Sequence, residues 1–458
     1  LLLCIGTLFL PGGTATVILR AVLLAAALGG GAWAVLLQKK NHACRVRTAQ
    51  AQAILNKYGV SACGDIVPLA TEYCGALHLD NGHDSITLVT FDLLYFGKSY
   101  CREIREKLGG NITFTTSHTH SGPWSSTPLA SELAEGLHDD PTYIAQLLPK
   151  VEAVIREARE NTFPAKLGTG IGHCGKEQGV GGNRRIRNGL QDDSVNVICV
   201  KDMNDTVRGV LFNYALHPTY LHAENLYVTA DYPAYVRRFI HFAYPEAKFM
   251  FAQGTSGNQS SRYHRVGQNF EEAARVGSTL GVEIFHTIEK MEFSDDIEIG
   301  FKSTELELPI REYPTVADAR RDMEAARKAF REMPDDDYIT KRNCELAMFG
   351  KENEFYYAEI AERDGKITDA ELPCEVCVVT LGDTNICMTQ GEIFVEFGLA
   401  MKEASPSAKT FVFEVSNGTL PGYLFTPEAY ADGGYEVGTS IFTGDAGGAI
   451  VDAVKKLF

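Results

Sequence analysis

Three apolar, β-prone runs, Ile112–Ser117, Val207–Phe212 and Ala247–Gln253, each end in a segment whose residues suit chemistry better than packing. The first runs into His118-Thr119-His120-Ser121-Gly122-Pro123. The second runs into Asn213-Tyr214-Ala215-Leu216-His217-Pro218, and the third into Gly254-Thr255-Ser256-Gly257-Asn258-Gln259-Ser260. In an extended strand, residues i and i+2 share a face, so His118 and His120 are expected to project together from a strand end. Paired imidazoles suit a divalent metal, although they equally suit a hydrogen-bonded polar cleft. Pro218 biases His217 to an extended backbone and blocks a helix start there. The third run, followed by a helical period from about 270 to 290, makes a strand, glycine turn and helix. Such a unit presents a hydroxyl or backbone amides to a ligand, or is a tight turn needing small residues.

Other runs extend the pattern. Ser85–Phe91 reads as a strand, Lys98–Leu108 and Pro141–Glu160 as amphipathic helices, and 195–200 with 207–211 as an antiparallel pair across Asn204-Asp205. Residues 314–364 turn strongly charged and read as a helical hairpin inserted between strands, either a surface excursion or a lid. The expected fold is mixed α/β, with central β-sheets flanked by helices. At 458 residues the chain has room for two or three domains. The candidate residues spread from 118 to 423, so one large catalytic domain over 48–458 is the better expectation.

These segments resemble the neutral/alkaline (non-lysosomal) ceramidases, zinc enzymes that hydrolyse the amide bond of N-acyl-sphingosine. The block 117–123 is similar to that family's Thr-His-Thr-His-Ser-Gly-Pro, with Ser117 where the first Thr is usual. The His217-Pro218 block resembles the second metal histidine, and Gly257–Ser260 the Gly-Asp-x-Ser turn that carries the catalytic serine. Gln390-Gly391-Glu392 is similar to the Pro-Gly-Glu that supplies a zinc carboxylate. Tyr423–Tyr430, followed by Tyr435-Glu436, resembles the segment whose first tyrosine completes the site. Asn183-Arg184 is similar to an Asn-Arg that faces substrate, and segments at 65–69 and 77–82 are looser matches. The resemblance implies one Zn2+ per chain on His118, His217, Glu392 and Tyr423, with Ser260 at the catalytic serine. Asn258 stands where the family has Asp, and Gln390 where it has Pro. After Tyr423 there is no room for the family's C-terminal immunoglobulin-like domain.

The chemistry of these residue types agrees with that implication. Two histidines and a carboxylate leave zinc an open position, whereas structural zinc sites are usually closed by cysteines. Tyr423 is a ligand or a donor to an oxyanion. His120, close to the metal but off it, is the candidate for acid/base work on the leaving amine, because imidazole titrates near neutrality. Arg184 would position a headgroup or carbonyl, or form a surface salt bridge within the basic cluster 184–187. Ser260 is a covalent nucleophile or a donor orienting the amide.

The expected substrate is a lipid or other N-acyl compound, met at a membrane surface. A metal-independent serine esterase using Ser256 or Ser260 is the alternative enzyme, and a non-catalytic membrane-associated binding protein the alternative from another class. A formal charge of −16 argues against nucleic acid as a partner. Eleven cysteines without framework spacing do not read as a disulfide scaffold. Cys374 and Cys377, spaced like a zinc knuckle, fall in a strand-like run and are expected to be buried thiols. Residues 1–47 contain the apolar run 21–37, an anchor or an export signal, so the protein is expected to be membrane-associated or exported, on an undetermined side.

Overall fold

The computed structural model describes residues 73–123, 125–126, 140–221, 225–334 and 337–458, within one unit, Leu69–Phe458. The apolar segment 1–47 and the motif at 65–69 lie outside the described residues. Among the described residues, no helix is long and apolar enough to cross a membrane.

The first sheet joins β1 (Cys74–Asp80), β2 (Ser85–Phe91) and β3 (Ile112–Thr116). β1 and β2 are antiparallel; β2 and β3 are parallel, with α1 (Lys98–Leu108) between them in sequence. Helix α2 (Pro141–Glu160) starts where the Asp140 side chain accepts from the Thr142 and Tyr143 amides and Pro141 opens the first turn. Next come β4 (Ala165–His173), the two-residue β5 (Gly182–Asn183), β6 (Ser194–Asp202), β7 (Val207–Tyr214), α3 (Tyr232–Ala243), β8 (Lys248–Gln253) and the two-residue β9 (Gln259–Ser260). The second sheet has the order β4-β6-β7-β8, with β7 and β8 parallel, while β5 pairs separately with β9.

After α4 (Phe270–Glu289), strand β10 (Ile299–Leu306) is followed by α5 (Val316–Glu332) and α6 (Tyr338–Asp364), the expected hairpin. Thr315 caps α5, Asp337 caps α6, and Gly365 ends α6 in the left-handed conformation. The chain then forms β11 (Cys374–Leu381), β12 (Thr384–Thr389), β13 (Glu392–Ile393), α7 (Val395–Ala404), β14 (Lys409–Phe413), β15 (Tyr423–Leu424), α8 (Pro427–Asp432), α9 (Tyr435–Gly438) and α10 (Ala446–Lys455). The third sheet has the order β10-β11-β12-β14, and β13 pairs with β15 in parallel.

The three sheets share one apolar core, with Ile86 and Leu88 from β2, Leu211 from β7, Met250 from β8, Val379 from β11 and Phe411 and Phe413 from β14. Alternate residues point away to the helices: Val89 and Phe91 pack in the cluster of α1 and α2. Burial on both faces explains why β2 reads as a nearly continuous apolar run. Cys374 and Cys377, three apart on β11, fall on opposite faces and join different clusters, so they cannot pinch one ion.

The parallel pairs β2-β3, β7-β8 and β12-β14 place their carboxyl ends together. There Asn417 N donates to Phe114 O (2.8 Å), Glu414 N to Gln253 O (2.9 Å) and Gly254 N to Tyr214 O (2.8 Å). Crevices beyond the carboxyl ends of parallel strands are the usual ligand sites of α/β sheets. The segments carrying His118, His217 and Glu392 all leave from this edge.

Nearby, Asp231 caps α3 in a left-handed conformation (φ 61°) and accepts from Leu221 N (2.9 Å) and Tyr232 N (2.7 Å). Burial pushes its carboxyl up to about 7, against about 4 in an unfolded chain. The folded chain therefore retains a proton that the unfolded chain loses, and stability should fall as pH rises from about 4 to about 7. Asp231→Asn keeps one of the two acceptor contacts and removes the buried charge. Calorimetric melting at pH 5 and pH 8 is expected to show a smaller loss of Tm in this variant than in the unaltered chain.

Candidate metal centre

β3 stops at Thr116, with Ser117 N donating to Phe91 O at 2.7 Å. His118 then takes φ 60°, in the left-handed region that few non-glycine residues occupy. The expectation that His118 and His120 share a strand face is therefore corrected, because the backbone has left the extended region by residue 118. A sharp turn still brings the rings together: the centroids of His118 and His120 are 5.1 Å apart, and those of His118 and His217 are 4.9 Å apart. One nitrogen from each of His118, His120 and His217 falls within a 4.8 Å group. His120, expected beside a metal rather than on it, thus belongs to the same cluster, as its solvent-exposed member.

Each buried imidazole is fixed by its Nδ1. His118 Nδ1–H donates to Leu94 O at 3.1 Å, and His217 Nδ1–H to Ser256 O at 2.7 Å, with Gln259 O at 3.2 Å. A proton on Nδ1 leaves Nε2 as a lone pair in the neutral ring. Both Nε2 atoms converge on Glu392 Oε2, at 3.3 Å from His118 and 3.0 Å from His217, and His118 Nε2 has no hydrogen-bond partner.

Burial, followed by the Arg184 charge, lowers His217 to about 4, keeping its ring neutral. Burial alone would raise the Glu392 carboxyl, but His118 and His217 outweigh it and hold it well below the usual carboxylate range. His120 is exposed as a residue, but desolvation of its ring by the packed cluster, followed by the neighbouring His118 and His217, pushes it well below its ordinary value. Two imidazole Nε2 atoms and one Glu392 oxygen thus crowd on a single point where His118 Nε2 lacks a hydrogen-bond partner, an arrangement that a bound cation would satisfy. Donors on one tetrahedral zinc, each bound at about 2.0–2.1 Å, lie roughly 3.4 Å apart. The observed 3.0 and 3.3 Å separations match that spacing.

Glu392 and Tyr423 are direct partners in the parallel β13–β15 pair. Tyr423 is buried, and its ring centroid lies 6.5 Å from that of His217. Burial and the Glu392 charge raise its hydroxyl well above the usual range. Glu392 Oε1 is taken by Tyr95 O–H at 2.5 Å. No sequence motif marks Tyr95; its place in the loop after β2, beside the Leu94 carbonyl that holds His118, is what brings it to the site.

The turn after β8 packs directly on two backbones. A side chain at Gly254 would lie 2.8 Å from Tyr214 C, and one at Gly257 would lie 2.8 Å from Ile393 C. Only glycine permits that approach, so the turn's carbonyls reach His217. Ser260 is buried in β9 opposite Gly182; its Oγ accepts from Arg262 N at 3.2 Å and meets no histidine or carboxylate hydrogen-bond partner among the described residues. Ser256 is fully buried and donates to Glu414 at 2.5 Å.

Arg184 is buried and ion-paired, its Nε donating to Glu436 Oε1 at 2.9 Å while Arg185 takes Oε2 at 2.6 Å. The surface salt bridge considered from sequence is in fact an interior one. Its guanidinium lies 5.3 Å from the Tyr423 ring centroid, and its buried Nη2 has no hydrogen-bond partner. Arg184 also lines a cavity of about 470 Å³, with Arg262, Phe394, Tyr435 and, from α6, Asn343 and Leu346. The inserted hairpin is therefore a wall of this cavity. Its volume is in the range of small-molecule sites.

The two departures from the family pattern have local reasons. Asn258 Oδ1 accepts from Val395 N at 3.0 Å, and its Nδ2 donates to Glu396 Oε2 at 2.8 Å. An aspartate would set a carboxylate against Glu396. Gln390 is buried, accepts from Glu375 N and donates to Thr419 O at 3.1 Å, contacts that proline cannot make.

No family model matches the sequence, and no curated protein matches it. Among solved structures, the neutral ceramidase from Pseudomonas aeruginosa aligns with a TM-score of 0.60 and 15% identity, over 82% of this chain and 66% of that one. A ceramidase complexed with C2 aligns with a TM-score of 0.59 and 14% identity, over 82% and 67%. The chain thus has the neutral ceramidase fold and spans about two thirds of those chains' length.

Asn258→Asp is expected to lower stability by about 1–3 kcal/mol at pH 8, since a hydrogen-bond donor is replaced by a second carboxylate. Much of that loss should be recovered near pH 4, where one carboxyl can protonate; urea unfolding at the two pH values measures it.

Proposed function

We propose that the chain is a zinc-dependent hydrolase that cleaves the amide bond of ceramide or a related N-acyl lipid, releasing a fatty acid and an amine. The observation that carries this reading is the convergence of the His118 and His217 Nε2 atoms on one oxygen of Glu392, with His120 in the same cluster. His118, His217, Glu392 and Tyr423 would hold one zinc ion, and His120 stands within reach as an additional ligand or as the acid/base group. Zinc in such a set supplies Lewis acidity toward an acyl carbonyl and toward water.

The protein's own groups supply the rest. His120, neutral and open to solvent, accepts a proton from water and returns it to the departing amine nitrogen. Arg184, steadied by Glu436, turns its unpartnered Nη2 to the amide carbonyl or headgroup. Ser260, which has no base beside it among the described residues, orients the amide as a hydrogen-bond donor. This geometry favours the metal reading over a serine esterase, because the Ser256 hydroxyl donates to Glu414 and, among the described residues, neither serine hydroxyl bonds a histidine. The cavity bordered by α6, α8 and α9 would receive the headgroup side of the substrate. An N-acyl lipid substrate would be met at a membrane surface.

The test is zinc content of the purified chain together with fatty acid release from a fluorescent short-chain ceramide, with and without chelator. About one zinc per chain and chelator-sensitive turnover are expected, with both lost in His118→Ala and Glu392→Ala. Chelation should also lower the Tm of the unaltered chain but not that of Glu392→Ala. Turnover that survives chelation and is blocked by a fluorophosphonate would establish the serine esterase instead. Zinc without ceramide cleavage would direct the search to other N-acyl compounds, and zinc without turnover of any would leave a binding protein.

A further inference from the structure

Glu414 follows β14, is fully buried, and belongs to none of the motifs that mark the site. No cation pairs with it among the described residues. Its two carboxylate oxygens bind two different strand-end segments. Oε1 accepts from Ser256 Oγ at 2.5 Å, and Oε2 accepts from Ile393 N at 2.8 Å. Ser256 carries the carbonyl that fixes His217 Nδ1, and Ile393 follows Glu392 directly in β13. The backbone of Glu414 adds two more ties. Its N–H donates to Gln253 O at 2.9 Å, and its carbonyl accepts from Thr115 Oγ1 at 3.3 Å, three residues before His118.

A fully buried carboxyl group without a counter-cation is costly to keep, and a simple apolar residue would suit the surrounding core. What it gains here is a rigid span between the turn that orients His217 and the strand that presents Glu392. Outer hydrogen bonds of this kind fix ligand orientation and tune metal affinity. We infer that Glu414 is a positioning residue which, through Ser256 and Ile393, sets the separation of His217 and Glu392 for the metal. The inference rests on the metal-centre reading above.

The test is zinc affinity of the purified chain by chelator competition, with melting of the metal-free protein measured alongside. Glu414→Leu is expected to weaken zinc binding about 10–100-fold. Glu414→Gln should bind close to the unaltered chain, since its amide can accept from Ile393 N and donate to Ser256 Oγ. Ser256→Ala, which removes one arm only, should weaken binding less than Glu414→Leu, and the double variant should lose less than the two single effects combined.

A purely structural Glu414 would lower the Tm of the metal-free chain and leave the affinity of the folded protein unchanged; that result overturns the inference. Should Glu414→Leu not fold, Ser256→Ala decides: unaltered zinc affinity in that variant also overturns it. An unaltered chain that binds no zinc fails the metal reading itself, whereas tight zinc binding retained in both variants fails only the role of Glu414.

Discussion

Glu392 Oε2, 3.0 Å from one imidazole nitrogen and 3.3 Å from another, is the point around which the carboxyl edge of the three sheets is organised. Like-natured acceptors do not gather in a protein interior unless the surrounding structure forces them together. Here the force comes from backbone: two carbonyls hold the Nδ1 protons of His118 and His217, and a parallel strand pair sets Glu392 against Tyr423. The unfavourable face is concentrated where a cation would turn it favourable. That is a common way for a fold to give up local stability for a site.

The supports of this point differ in kind. Tyr95 holds the outer oxygen of Glu392, the turn 254–260 supplies carbonyls, and Gly254 and Gly257 allow that turn to lie directly on the neighbouring chains. Arg184 and Glu436 bring a buried ion pair to the Tyr423 side, where the cavity begins. Removing one partner of such a pair leaves an uncompensated interior charge, so orientation at this side is costly to disturb. The helical insertion at 316–364 adds a wall to the same cavity and is thereby more than a surface ornament.

Asn258 and Gln390 show how departures from a family pattern are read physically. In the fold, the Asn258 amide satisfies both Val395 N and Glu396, and Gln390 joins β12 to the loop at 419.

The sequence alone determined the elements and the candidates. Apolar, β-prone runs marked β2, β3 and β7, amphipathic patterning marked α1 and α2, and the histidine and Gln-Gly-Glu motifs pointed to His118, His217 and Glu392. These are local properties, set by side-chain alternation and backbone preference within a few residues. The tertiary structure decided the rest: the left-handed turn at His118, the entry of His120 into the cluster, and the interior pairing of Arg184 with Glu436. It alone revealed Tyr95 and Glu414. Tyr95 meets Glu392 across 297 positions of chain, and Glu414 meets Ser256 across 158, so no local pattern records either contact. Strand order and sheet convergence bring those partners together, and both arise from packing the shared core.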